Sequence, residues 1–203
     1  PAFAKRPIGR LRSTEIRGWA MKLELADSTR QGVLALLSSI LAGAVADQII
    51  GKNPAESVRV PSAEKGIVRP LTIAQVRALA DAAPLRLRAA VVLAAATGLR
   101  QGEMFGITED RIAWVGREIT IDRQLITPNR GELHFGPPKS KRSVRDVPVA
   151  DHAMKALAEH VERFGFGPDG HLFTNNESRP YRRNTAAAAF NRMSTAAKVE
   201  AKG

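Results

Sequence analysis

The chain has 203 residues, 44% of them hydrophobic, enough for a real core and too many for wholesale disorder. A formal net charge of +11 and a pI near 10.8 point to an anionic partner, nucleic acid first and an acidic membrane surface second. The absence of cysteine excludes disulfides, thiolate metal sites and cysteine nucleophiles, and is compatible with a reducing cytoplasm. In chain order, a first helix is predicted from Ser13 to about Leu23, with Ile16, Trp19 and Ala20 facing a core. A longer one follows, with Ser28 as N-cap, Gln31 closing a capping box, and a stop at Gly51 before Pro54. Its uncharged run, Gln31 to Ala46, is too short and too rich in Ser and Gly to favour a bilayer span, so no membrane partner is expected.

Residues 1–57 thus form a helical domain, and the polar stretch 58–70, with Pro61 and Gly66, reads as a linker. Thr72 and Gln75 make another capping-box signature, opening a second domain over 71–203. An apolar helix, Leu85 to Ala96, runs into Thr97-Gly98, and the chain restarts with Arg100 and Glu103 three residues apart. That spacing puts guanidinium and carboxylate on one helical face. An arginine beside helix-start amides suits a phosphate, although a Gly-broken helical pair with a surface ion pair explains the same residues.

From Arg117 to Val149 the apolar period shortens to two. Glu118–Asp122, leading on to Gln124–Ile126, then Glu132–Phe135 and Val144–Val149 read as a small antiparallel three-stranded sheet in an otherwise helical domain. The fold class is therefore mainly α with a small sheet. Lys139, Lys141, Arg142 and Arg145 stand between the second and third strands, where they must face solvent or a partner. Helices resume at about Asp151–Phe164 and Asn184–Ala197, with a short extended piece at His171–Thr174.

Two ordered segments carry a resemblance. Ala96-Thr97-Gly98-Leu99-Arg100-Gln101-Gly102-Glu103 resembles the first active-site box of the tyrosine recombinases, the phage integrase family. Lys139-Ser140, followed by Arg145-Asp146-Val147-Pro148, resembles that family's lysine-bearing β-hairpin. Leu71-Thr72 with Gln75-Val76 looks like the opening helix of the catalytic domain. Gly170 to Thr174 with Arg179-Pro180 looks like the approach to the second box, and residues 24–54 look like the last helix of a core-binding domain.

The resemblance implies site-specific recombination through a 3′-phosphotyrosyl intermediate, without metal or other cofactor. It implies a double-stranded DNA recombination site and further protomers, up to a tetramer, as partners, in the cytoplasm. Arg100 would grip the scissile phosphate, Lys139 would protonate the departing 5′ oxygen, and Glu103 would position Arg100. Lys141, Arg142, Arg145, Arg30, Arg182 and Arg183 are the expected DNA-binding cations.

The family's His-x-x-Arg box and tyrosine nucleophile find no match. His160 has Arg163 three residues on, but too early in the chain, and the pair reads as exposed helix surface. The only tyrosine, Tyr181, lies in Arg-Pro-Tyr-Arg-Arg and reads as a packing or DNA-adjacent residue. The chain opens on Pro1 and is expected to be a piece of a longer protein that binds DNA without cutting it. The alternative is a non-catalytic double-stranded DNA-binding protein on the same fold. Docking on RNA explains the charge but not the two boxes, and aromatic residues make up only 5%.

Overall fold

The computed structural model describes residues 2–3, 5–61, 69–128, 131–138, 140 and 143–199. The chain divides into two compact units, residues 1–67 and 68–203.

The first unit is built on α1 (Ser13–Met21) and α2 (Asp27–Ala46). Ile16, Leu34, Leu41, Ala55 and Val58 form its buried core, with Trp19 packed against it and Phe3 edge-on to Trp19 at 5.1 Å. Val58, at the expected start of the linker, is part of that core.

α2 begins two residues earlier than its sequence signature indicated, with Ala26 as N-cap. Ser28 therefore lies in the first turn and caps nothing, while Asp27 places its charge where the helix dipole favours it. The helix ends at Ala46, and Asn53 fixes the reversal that follows. Its amide donates to the Ser38 carbonyl at 3.0 Å, and its side-chain oxygen accepts from the Ala55 amide at 2.9 Å. At 20 residues, α2 is long and apolar enough to cross a membrane by length and composition alone, contrary to the shorter span read from its uncharged run. One stripe of it is nevertheless core, while Leu36 and Ile40 stand exposed.

The second unit starts with the expected box: the Gln75 amide donates to Thr72 Oγ1 at 3.3 Å, and Thr72 N donates to Gln75 Oε1 at 2.8 Å. It opens α3 (Ile73–Ala82), and α4 (Leu85–Thr97) follows. Gly98 ends α4 in the left-handed region (φ 64°), donating to the Ala94 carbonyl at 2.9 Å. A residue with a Cβ would be strained there. Leu99 drops into the core, and α5 (Gln101–Phe105) begins at once.

The sheet departs from the expected pairing. β1 (Ile112–Ala113), β2 (Glu118–Ile121) and β5 (Arg145–Pro148) make an antiparallel three-stranded sheet in the order β1-β2-β5. β3 (Gln124–Ile126) and β4 (His134–Gly136) form a separate two-stranded hairpin. The strand after the basic run thus pairs with β2, in the register Ile119–Val147 and Ile121–Arg145, and not with β4. β4 and β5 therefore do not form a hairpin with each other.

Ile119, Ile121 and Val147 turn inward onto a core shared with Leu93, Phe105, Leu157 and Phe173. Cutting fully buried Ile119 or Leu157 back to alanine would cost about 2–5 kcal/mol. α6 (Asp151–Phe164) and α7 (Arg183–Ala196) close the unit, within a residue of their predicted bounds.

Candidate DNA-binding and active site

Arg100 is the N-cap residue of α5, in extended backbone, and Glu103 sits one turn on. The Glu103 carboxylate is 2% exposed, so it must be paired to remain charged. It accepts three hydrogen bonds. Arg100 donates its own amide at 3.1 Å and Nη1 at 2.8 Å, and Arg145 donates Nη2 at 3.1 Å from β5. Burial alone would raise this carboxyl's pKa. The hydrogen bonds from Arg145 and then Arg100 overcome it and hold the group below its ordinary 4.5. Glu103 is thus neither a surface acid nor unpaired.

The Arg100 side chain remains 58% exposed. Among the described residues it donates to Glu103 alone, which leaves most of its five N–H groups free. It borders a cleft of about 650 Å³ whose walls include Gln101, Gln124, Thr127, Tyr181 and Arg183. The Gln101 amide reaches the Arg183 carbonyl at 3.3 Å, tying the start of α5 to the start of α7.

Two glycines set the depth of this arrangement. A Cβ on Gly106 would lie 2.9 Å from both the Gly102 carbonyl and the Leu125 amide, and one on Gly102 would lie 3.2 Å from the Leu125 carbonyl. α5 and β3 therefore meet backbone to backbone, which seats the hairpin beside the Arg100 turn.

The other predicted site residues fare differently. Lys139, Lys141 and Arg142 lie outside the described residues. Arg145 is engaged within the protein: its Nη1 donates to the Ser143 carbonyl at 2.9 Å and its Nη2 to Glu103, with the side chain 34% exposed. Arg30 is turned inward at 16% exposure. It bonds Asp27 at 2.9 Å and the carbonyls of Leu23 and Leu25 at 3.1 Å, so it clasps the connection between α1 and α2. Arg182 is exposed and donates to the Gly131 carbonyl at 2.9 Å, joining α7 to the loop of the β3–β4 hairpin. Arg183 lies in the cleft with Arg100.

One histidine runs against expectation. His160 is buried and not on exposed helix surface. Its Nε2 meets the Leu172 carbonyl at 3.0 Å and must donate there, since a carbonyl only accepts. Nδ1 is then the unprotonated nitrogen, buried without a partner, and burial lowers the pKa of the ring. The missed signal is α6's periodicity: His160 lies on the same stripe as Ala153 and Leu157. His171 is buried as well, and its pKa is likewise lowered, first by burial. Tyr181 packs against Phe105 at 5.5 Å between ring centroids, and burial raises its hydroxyl's pKa, the opposite of what activates a nucleophile.

A family model described as the phage integrase family matches residues 69–202. The putative prophage phiRv2 integrase of Mycobacterium tuberculosis is 25% identical over 163 residues, covering 79% of this chain and 43% of that protein. The ICEBs1 integrase of Bacillus subtilis is 28% identical over 152 residues, covering 73% of this chain and 41% of that protein. The chain therefore spans less than half the length of these relatives.

Among solved structures, the Tn1549 transposon integrase in complex with a circular intermediate DNA superposes with a TM-score of 0.84. It is 22% identical, and the match covers 96% of this chain and 68% of that one. A lambda integrase dimer bound to a COC′ core site matches with a TM-score of 0.67 at 20% identity, covering 97% of this chain and 66% of that one. At such identities the structures speak for the fold.

Proposed function

The chain belongs to the phage integrase family, and we propose that it is the DNA-gripping part of a tyrosine recombinase. The parent protein cleaves and rejoins DNA at a specific site through a 3′-phosphotyrosyl link, in the cytoplasm and in concert with further protomers, up to a tetramer. Residues 1–57 serve as a partial core-binding domain and 71–203 as part of the catalytic domain. The observation that carries this reading is Arg100, fixed by buried Glu103 at the start of α5 with its remaining N–H groups free beside the cleft.

In this role Arg100 holds two oxygens of the scissile phosphate, as a planar guanidinium does well. Glu103 keeps that guanidinium in place, and Arg183 adds positive charge in the same cleft. In the parent, a tyrosine oxygen attacks phosphorus and the bond to the 5′ oxygen breaks. The Lys139 ammonium gives that oxygen its proton. Rejoining runs the step backwards. Tyr181 is not the attacking group: its ring is buried against Phe105, and that burial raises the pKa of its hydroxyl. The 203-residue chain therefore binds duplex DNA and forms no covalent adduct.

A salt titration of duplex binding, with a suicide substrate as covalent trap, tests both halves. Affinity should fall steeply and log-linearly with salt as counterions are released. A flat salt response would overturn the DNA reading. An adduct trapped on this chain would overturn the statement about Tyr181.

A further inference from the structure

The buried carboxylate of Glu103 has two arginine partners, and the second has no role in the reading above except as one DNA-binding cation among several. Arg145 lies 42 residues beyond Glu103. Both of its terminal nitrogens are engaged within the protein, Nη2 with Glu103 Oε2 and Nη1 with the Ser143 carbonyl. Ser143 is itself buried, with its hydroxyl 3.0 Å from that of Ser140 and its amide donating to the Ser140 carbonyl at 2.9 Å. Arg145 therefore connects the acid of α5 to the turn that leaves the basic run.

With a single arginine available, a buried carboxylate draws it into a two-pronged pair, since that geometry is the strongest on offer. Arg145 changes the division of labour. It occupies Oε2, and Arg100 gives a single Nη1 hydrogen bond to Oε1.

We propose that Arg145 is a positioning residue, not a DNA contact. It takes half of Glu103's charge, so that Arg100 is anchored by one nitrogen and keeps its other N–H edge for a phosphate. The proposal rests on the reading of Arg100 as a phosphate ligand.

A double-mutant cycle on the 203-residue chain, read as the salt slope of binding to a random-sequence duplex, tests it. Each phosphate contact contributes about 0.9 to that slope. Arg100→Ala should lower the slope by about 0.9. Arg145→Ala should lower it by a similar or smaller amount, and the double variant by no more than Arg100→Ala alone. Arg145→Lys, which restores charge but not the two-nitrogen bridge, should recover part of the loss.

Because Arg145→Ala leaves the buried acid half-neutralised and can fail to fold, a second comparison removes that charge as well. Glu103→Gln with Arg145→Met should keep the salt slope of Glu103→Gln alone. Additive losses in the cycle, or a further drop of about 0.9 in the second comparison, would make Arg145 a phosphate contact and overturn the proposal while leaving the function intact. An unchanged slope in Arg100→Ala would instead overturn the phosphate reading of Arg100, and the proposal with it.

Discussion

Phe135 and His171 lie ring on ring, with centroids 5.1 Å apart and planes within 19°, and the Arg123 guanidinium stands 4.3 Å from the centroid of the same Phe135 ring. Arg123 is held in turn by Thr108 and Asp110. The stack fastens β4 to the segment that precedes α7, with His171 lying 36 positions beyond Phe135 and 48 beyond Arg123.

Phe135→Ala removes both ring interactions, each worth about 0.5–1.5 kcal/mol. The expected result is a loss of about 1–3 kcal/mol in urea unfolding, with faster amide exchange confined to the β3–β4 hairpin. Unchanged exchange in the hairpin would mean that the stack does not hold it.

Acid should weaken the fold before any carboxylate is protonated. Burial depresses the pKa of both His160 and His171 below the ordinary 6.5. The unfolded chain therefore takes up protons that the folded chain refuses. The stability these rings contribute is complete above about pH 6.5 and is lost as pH falls from there toward their folded values. Melting temperature should drop between about pH 7 and pH 5, and His160→Asn with His171→Asn should flatten that dependence. An equally steep drop in the double variant would place the proton uptake elsewhere.

Glu103→Gln leaves two arginines facing a neutral amide and should cost about 2 kcal/mol at neutral pH, within the range for hydrogen bonds to charged groups. The sign of the pH effect follows from a carboxyl held below 4.5. Its stabilisation is present above that value and disappears as pH falls through the folded pKa. Denaturant titrations at neutral and acidic pH should therefore differ less for the variant than for the parent chain.

Gly106→Ala forces a methyl against two backbone groups, the Gly102 carbonyl and the Leu125 amide, each at 2.9 Å. Neither can rotate away, so a loss of about 1–3 kcal/mol is expected. Gly98→Ala meets open space and is strained only by its φ of 64°, for about 1 kcal/mol. Chemical denaturation of the two variants should rank them in that order.

What could be read from residue order was mostly local. Thr72 and Gln75 specify a helix start within four residues, and the apolar spacing of Ala153, Met154 and Leu157 marks one face of α6. Alternation marked residues 118–122 and 144–149 as strands but could not say that they pair with each other, because periodicity gives a strand its face and not its partner. The Glu103 contact of Arg145 was illegible for a related reason. A long cationic side chain in a basic run looks solvated until a buried acid from another element is brought within its reach. His160 was judged by its distance from an arginine, when its place on the buried stripe was the better guide. Arg100 and Glu103 were legible because both ends of their interaction lie within one helical turn.

The glycine seam between α5 and β3 has a mechanical consequence. Most contacts between elements are cushioned by side chains, whose rotamers absorb small displacements. Here main chain rests on main chain, and close-packed interiors pass strain on without dissipating it. A displacement of the β3–β4 hairpin therefore meets the Arg100 turn with no side chain at the glycine seam to absorb it.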